Sequence, residues 1–353
     1  MLGVAALGCF GAAMGPDNQF GLQLPVVRMF FTDANNNIQF SGTGTVIDNH
    51  NVDGQGYFCV LTADHVIANG GPTGMVRNGL GIGFGLIDGV NAAGFLPGNG
   101  AYMPGNLVGR LGPTGTVDIA VLSVHYGNYN ADYDKFTMGL SGANQLGVNS
   151  LFSSAGYGRV ATRQLDNAPW PGALPVGNQW WNGYVGNNPD NTQRFIYNRI
   201  DSVNMLDDDF IAPRIIHDAE EDVEPYPADQ PYDNPRQGYM YSSVEWDLTS
   251  PQNPSAVVGE GITRGGDSGA PYIISVGNRQ YIAGVHTYGY SLVLNGQPTQ
   301  QALWDMQAGG VQLTPAYQNW INQQCASVPE PGSLLVIGGG LAALLAARRK
   351  KSA

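Results

Sequence analysis

The chain has 353 residues, 12% of them charged and 43% hydrophobic, with a net charge of −12. That apolar share supports a real core, which excludes wholesale disorder. Four of the 16 basic residues crowd into the last six positions, so the rest of the chain is more acidic still and should repel nucleic acid and anionic membrane.

In chain order, residues 1–14 form an apolar run of small residues, with Gly11 and Ala13 as the small pair of a cleavage site. No basic stretch precedes it, so it reads as the remnant of a secretory signal peptide. Residues 15–24 read as an extended lead-in. From there 50 glycines and 22 prolines break the chain into short β-rich runs, the pattern of an all-β domain. Val26–Phe31 and Ile38–Phe40 are expected to form a hairpin across Asn35-Asn-Asn37, and the glycine-marked run Ser41–Ile47 follows. The run Tyr57–Thr62 leads into Leu61-Thr-Ala-Asp-His-Val66. Residues 68–105 are glycine-rich loops around a strand such as Ile82–Ile87. Asn106–Leu111 and Val117–Val124 are strands, the latter opening as Val117-Asp-Ile-Ala-Val-Leu122.

A polar crossover over 125–144 separates this half from a second one. There Ala155-Gly-Tyr-Gly158, Arg194–Ile200 and Tyr239-Met-Tyr241 mark strands. Between them lie a tryptophan-bearing loop, Trp170–Trp181, and an acidic stretch, Asp207–Asp233. The acidic stretch could hold Ca²⁺, but it lacks EF-hand spacing and reads as a solvated negative face. Then come Gly261-Ile-Thr-Arg-Gly-Gly-Asp-Ser-Gly-Ala-Pro271 and, one hairpin later, Gln280-Tyr-Ile-Ala-Gly-Val-His-Thr-Tyr-Gly289. Thr314 as N-cap and Pro315 at the first helical position open a helix through Gln324, with Tyr317, Trp320 and Ile321 on one face.

Three of these stretches carry chemistry. The glycines around Ser268 permit a tight turn that exposes the hydroxyl, and they bare backbone N–H groups toward a developing oxyanion. A neutral His65 could take the serine proton, and Asp118 could hold the imidazole in the correct tautomer. Taken singly, each also has an ordinary reading: a turn, a half-buried histidine, a solvated strand end. Together, and in this order, the motifs resemble those of trypsin-like (chymotrypsin-fold) serine peptidases over roughly residues 22–325. The resemblance implies two antiparallel six-stranded β-barrels, one over about 22–125 and one over about 145–312, closed by a helix at 314–324. It also implies catalysis by His65, Asp118 and Ser268, an oxyanion hole from the N–H groups of Gly266 and Ser268, and protein or peptide substrates. No cofactor or catalytic metal is expected, because His50, His125 and His217 form no ligand pattern.

The resemblance further implies a pocket for the side chain before the scissile bond, built from Ile262, Thr263, His286, Tyr288 and Gly289. Glutamyl endopeptidases, a branch of this fold, are similar in the threonine and histidine, which implies a preference for acidic residues. The alternative is an apolar pocket with His286 packed beneath it. Two departures stand out: Ala270 occupies a position usually held by glycine, and no N-terminus suited to pairing with Asp267 is visible. The cysteine pair that usually brackets the histidine is missing, as in a bacterial branch. Of Cys9, Cys59 and Cys325, Cys59 reads as a buried free thiol, with pairing to Cys325 left open.

At the other end, Val328-Pro-Glu-Pro331 precedes an apolar stretch through Ala347 and then Arg348-Arg-Lys-Lys351. This order resembles a PEP-CTERM sorting signal over 327–353. It implies recognition by an exosortase, passage through the inner membrane by residues 333–347, and delivery to the surface or extracellular matrix of a Gram-negative-type bacterium. The body at 15–326 is therefore expected to be an exported serine endopeptidase. Its rival is a catalytically quiet matrix or adhesion protein on the same fold, against which the complete His65, Asp118 and Ser268 set argues.

Overall fold

The computed structural model describes residues 25–69, 72–84, 102–158, 193–206, 241–247, 266–289, 293–294, 297–298 and 307–327. Residues 1–14, Trp170–Trp181, Asp207–Asp233, Ile262, Thr263 and the apolar tail 333–347 lie outside them. Among the described residues no helix is long and apolar enough to cross a membrane.

The first half is a closed six-stranded barrel. Its strands are β1 (Val26–Thr32), β2 (Ile38–Val52), β3 (Gln55–Thr62), β4 (Gly81–Gly83), β5 (Met103–Arg110) and β6 (Ala120–Asn128), in the spatial order β1-β2-β3-β6-β5-β4. The β1–β2 hairpin forms where expected. Its turn is held by the Asp33 carboxylate, which accepts from the N–H groups of Asn35 and Asn37. The β2–β3 hairpin turns on Asp53-Gly54, both left-handed at φ 52° and 81°, as a tight hairpin requires. The barrel is filled by Val27, Met29, Phe58, Val60, Leu122 and Val124 among others. Each fully buried side chain of this kind contributes roughly 1.5–3 kcal/mol. Ala120–Val124 are buried without alternation, because one face of β6 lines the barrel and the C-terminal helix packs on the same strand.

The second half is a seven-stranded sheet rather than a six-stranded closed barrel. It comprises β7 (Leu151–Gly156), β8 (Arg194–Arg199), β9 (Ser202–Leu206), β10 (Tyr241–Asp247), β11 (Pro271–Val276) and β12 (Arg279–Gly289). Past a small hairpin of β13 (Val293–Leu294) and β14 (Gln297–Pro298), β15 (Gln307–Gln312) completes it. The order is β8-β7-β11-β12-β15-β10-β9. Here β8 and β9 lie at opposite edges, yet only Ile200 and Asp201 separate them in the chain. Two residues cannot span a flat seven-stranded sheet, whose strands are about 4.8 Å apart. The sheet is therefore strongly curved, and 194–206 runs as one bent strand from one of its edges to the other. The corner is fixed by Ile200 N–H to Ser150 O at 3.0 Å and Asn149 N–H to Ile200 O at 2.7 Å.

Helix α2 (Pro315–Ala326) closes the domain, following the one-turn helix α1 (Asp64–Ile67) of the first half. Thr314 caps it by accepting from Tyr317 N–H. Its buried face is Gln318, Ile321 and Cys325, with Tyr317 and Trp320 half-buried beside them. Gln318 is fully used: its amide nitrogen donates to Gly142 O and Leu313 O, and its oxygen accepts from Gly142 N–H.

Cys59 of β3 is not a free thiol. It is bonded to Cys325, across a sequence separation of 266 residues. An apolar run around a cysteine looks the same whether it buries a thiol or a disulfide, which is why the local pattern misleads. Closing so long a loop removes much of the unfolded chain's freedom, by roughly 5 kcal/mol in the entropic picture. The Cys59→Ala/Cys325→Ala double variant is expected to lose about 2–5 kcal/mol in urea unfolding. An unchanged midpoint and slope would show that the bond does not constrain the domain.

Candidate active site

His65 sits in α1, where β3 ends. Asp118 lies in the turn before β6 and is fully buried. Its carboxylate grips residue 65 twice: Oδ2 lies 2.8 Å from His65 Nδ1, and Oδ1 accepts from His65 N–H at 3.0 Å. Backbone and ring are thus oriented by one group. The imidazole remains partly accessible, at 17% side-chain exposure. Burial alone would push its pKa down. The Asp118 carboxylate, by charge and by hydrogen bond, and then the Asp64 carboxylate outweigh that effect. Against the opposition of Arg77, they hold His65 above the ordinary histidine value.

Asp64 has a role that the local motif does not announce. It is fully buried, and Arg110 at the end of β5 forks onto it, Nε to Oδ1 at 2.8 Å and Nη2 to Oδ2 at 2.7 Å. Arg110 also donates to Gly74 O at 3.0 Å. This bidentate pair pins α1 to the barrel wall next to His65. Its partners are 46 residues apart in sequence, and no spacing pattern links them.

Ser268 lies on the turn between the two halves and is half-buried. Gly266 and Gly269 are left-handed there, at φ 102° and 88°. The turn is clamped from both sides. Thr43 of β2 donates its N–H to Ser268 O at 2.8 Å and its hydroxyl to Gly266 O at 3.0 Å. On the other side, Gly269 N–H donates to His286 O of β12 at 2.7 Å. A Cβ on Gly269 would lie 2.0 Å from Thr43 O, and one on Gly42 would lie 2.8 Å from both Ser268 O and the Val66 side chain. Gly42 is therefore where the serine turn and the residue after His65 come together. Ala270 is buried with a backbone outside the left-handed region, so alanine is accepted there.

Asp267, fully buried, accepts from Gly158 N–H at 2.6 Å. A Cβ at 158 would fall 2.3 Å from that carboxylate, which explains the glycine after Tyr157. Of the remaining expected site residues, His286, Tyr288 and Gly289 share β12, while Ile262 and Thr263 lie outside the described residues. His286 is 2% exposed, and its Nδ1 lies 3.2 Å from the Tyr272 hydroxyl. Tyr288 packs against Gly309, where a Cβ would approach its ring to 2.5 Å. Thr43, Arg110, Tyr272 and Gly309 were not legible as site residues, because each acts through a contact between strands distant in sequence.

No curated protein matches this chain in sequence. Among solved structures, it is similar to the thermostable serine protease AL20 from an extremophilic microorganism. The TM-score is 0.44 and the identity 11%, over 86% of this chain and 98% of that one. At the C-terminus, residues 327–350 match the family model of the PEP-CTERM protein-sorting motif, so the chain carries the signal of an exported, surface-sorted protein processed there by an exosortase.

Proposed function

We propose that this protein is an exported serine endopeptidase. The observation that carries the reading is the double hold of Asp118 on His65 beside a serine turn clamped between the two halves. Asp118 fixes Nδ1 as the protonated nitrogen, which leaves the lone pair on Nε2 for the Ser268 hydroxyl. Ser268 Oγ attacks the scissile carbonyl carbon as its proton passes to His65, giving a tetrahedral oxyanion. The N–H groups of Gly266 and Ser268 receive that oxyanion, at about 3–4 kcal/mol per donor. His65 then protonates the leaving amine, the C–N bond breaks, and the acyl-enzyme is hydrolysed by water in the same two steps. The fixed partner of Asp267 suits constitutive activity. Before the scissile bond, His286 and Thr263 would favour an acidic side chain, since an imidazole and a hydroxyl can both hydrogen-bond a carboxylate.

The test is labelling of the purified protein by a fluorophosphonate probe across pH. Only neutral imidazole accepts the serine proton, and the His65 pKa is raised, so labelling should fall on acidification with a midpoint above the usual value of about 6.5. Absence of labelling at neutral pH, or labelling that stays flat down to about pH 4, would remove His65 from the role of base.

A further inference from the structure

Arg28, like Arg77 over Phe31, is a cation held against aromatic rings rather than against a carboxylate. It is half-buried on β1, yet among the described residues it has no carboxylate partner, in a chain with 28 acidic residues. Its guanidinium instead lies over aromatic rings, 4.6 Å from the centroid of Phe30 and 5.7 Å from that of Phe40. Phe30 in turn meets Phe40 and Tyr102 edge-on, at 6.3 Å and 6.2 Å. Burial lowers the Arg28 pKa, opposed by nearby Tyr157, so the group is desolvated without an ion pair to offset it.

The register places this ledge beside the serine turn. Arg28 pairs across the strands with Thr43, so their side chains share one face. That face receives the turn, because the Thr43 hydroxyl donates to Gly266 O. Phe40 closes the gap: a Cβ on Gly266 would lie 3.0 Å from its ring. The direction of the chemistry decides which part of a substrate lies here. His65 must reach the leaving amine, and His65 and the β1–β2 hairpin both belong to the first barrel. A leaving half that follows His65 onto the first barrel would cross Phe40, which links the serine turn to Arg28.

We propose that Arg28, on its Phe30–Phe40 ledge, binds the carboxylate of an aspartate or glutamate at the first or second position after the scissile bond. The inference rests on the peptidase reading and extends it to the leaving side of the substrate. A planar guanidinium with one face on aromatic rings keeps its N–H edge free to take a carboxylate in a fork.

The experiment compares peptides that differ only at those two positions, carrying Glu, Ala or Lys. The wild type is expected to cleave the Glu peptide about 10-fold faster in kcat/KM than the Ala peptide, with Lys slowest. Arg28→Gln should bring the Glu-to-Ala ratio to about one. A ratio within one enzyme does not respond to a general loss of folded protein, as a merely structural role would produce. If the variant does not fold, the wild-type ratio should still shrink several-fold between about 0.05 and 0.5 M salt, as expected for a partly exposed ion pair. A wild type that labels with fluorophosphonate and cleaves the Ala peptide, but shows a ratio of one, overturns the subsite and leaves the peptidase reading standing. A ratio kept by Arg28→Gln also overturns it. A wild type that neither labels nor cleaves any peptide overturns both.

Discussion

Ser268→Ala is expected to lower peptide hydrolysis by about 10⁶-fold while leaving the fold intact. In the proposed cycle the hydroxyl supplies the only protein atom that bonds to the substrate, and no step proceeds without it. The surrounding turn does not depend on that oxygen. It is held by Thr43 N–H on Ser268 O, Gly269 N–H on His286 O and Ala270 N–H on Asp267 O, all backbone contacts that alanine preserves. Steady-state kinetics together with unfolding curves separate the two effects. Hydrolysis at the wild-type rate by the purified variant would end the assignment, because neighbouring groups cannot substitute for a missing nucleophile.

Asp118→Asn is expected to lower kcat by about 10⁴-fold, a smaller loss with a different cause. The carboxylate offers two acceptors, one to the ring and one to the backbone N–H of His65. An amide of the same shape offers one acceptor and one donor. With the oxygen on the backbone N–H, the amide NH₂ faces Nδ1 and favours the tautomer that carries its proton on Nε2. That tautomer presents a donor to the serine where an acceptor is required. The variant should also lose the elevation of the His65 pKa, since Asp118 supplies its main upward influence. Imidazole titration by NMR measures this directly. A fully active Asp118→Asn enzyme, or an unchanged titration midpoint, would contradict the role given to Asp118.

Some of this arrangement was legible in the sequence and some was not, for a physical reason. His65, Asp118 and Ser268 each sit in a run of four to six residues whose composition reflects a local need: a strand end, a buried turn, glycines at positive φ. The β1–β2 hairpin and α2 were readable because turn and cap chemistry is also local. What escaped was long-range and single-residue. Arg110 on Asp64, Thr43 on the serine turn, Gln318 on Gly142 and Cys59 on Cys325 each join strands that only the folded barrel brings together. A lone polar residue on a strand has no period and no neighbour in sequence to reveal its partner. The bent strand at 194–206 escaped for a related reason. Its break at Ile200–Asp201 looks like an ordinary strand end until the pairing of β8 and β9 at opposite edges is known.

The bond between Cys59 and Cys325 changes what a cut in the backbone can do. Its loop encloses His65, Asp118 and Ser268. The sorting motif begins at residue 327, just outside it. A single peptide-bond break anywhere between the two cysteines therefore produces two polypeptides but not two molecules. For a break after His65, one piece would carry the histidine and the other the sorting motif, with the sulfur bridge joining them. If the proposed peptidase activity holds, self-cleavage between the cysteines would nick the chain without shedding its parts. Such wear would show as fragments on a gel only after reduction.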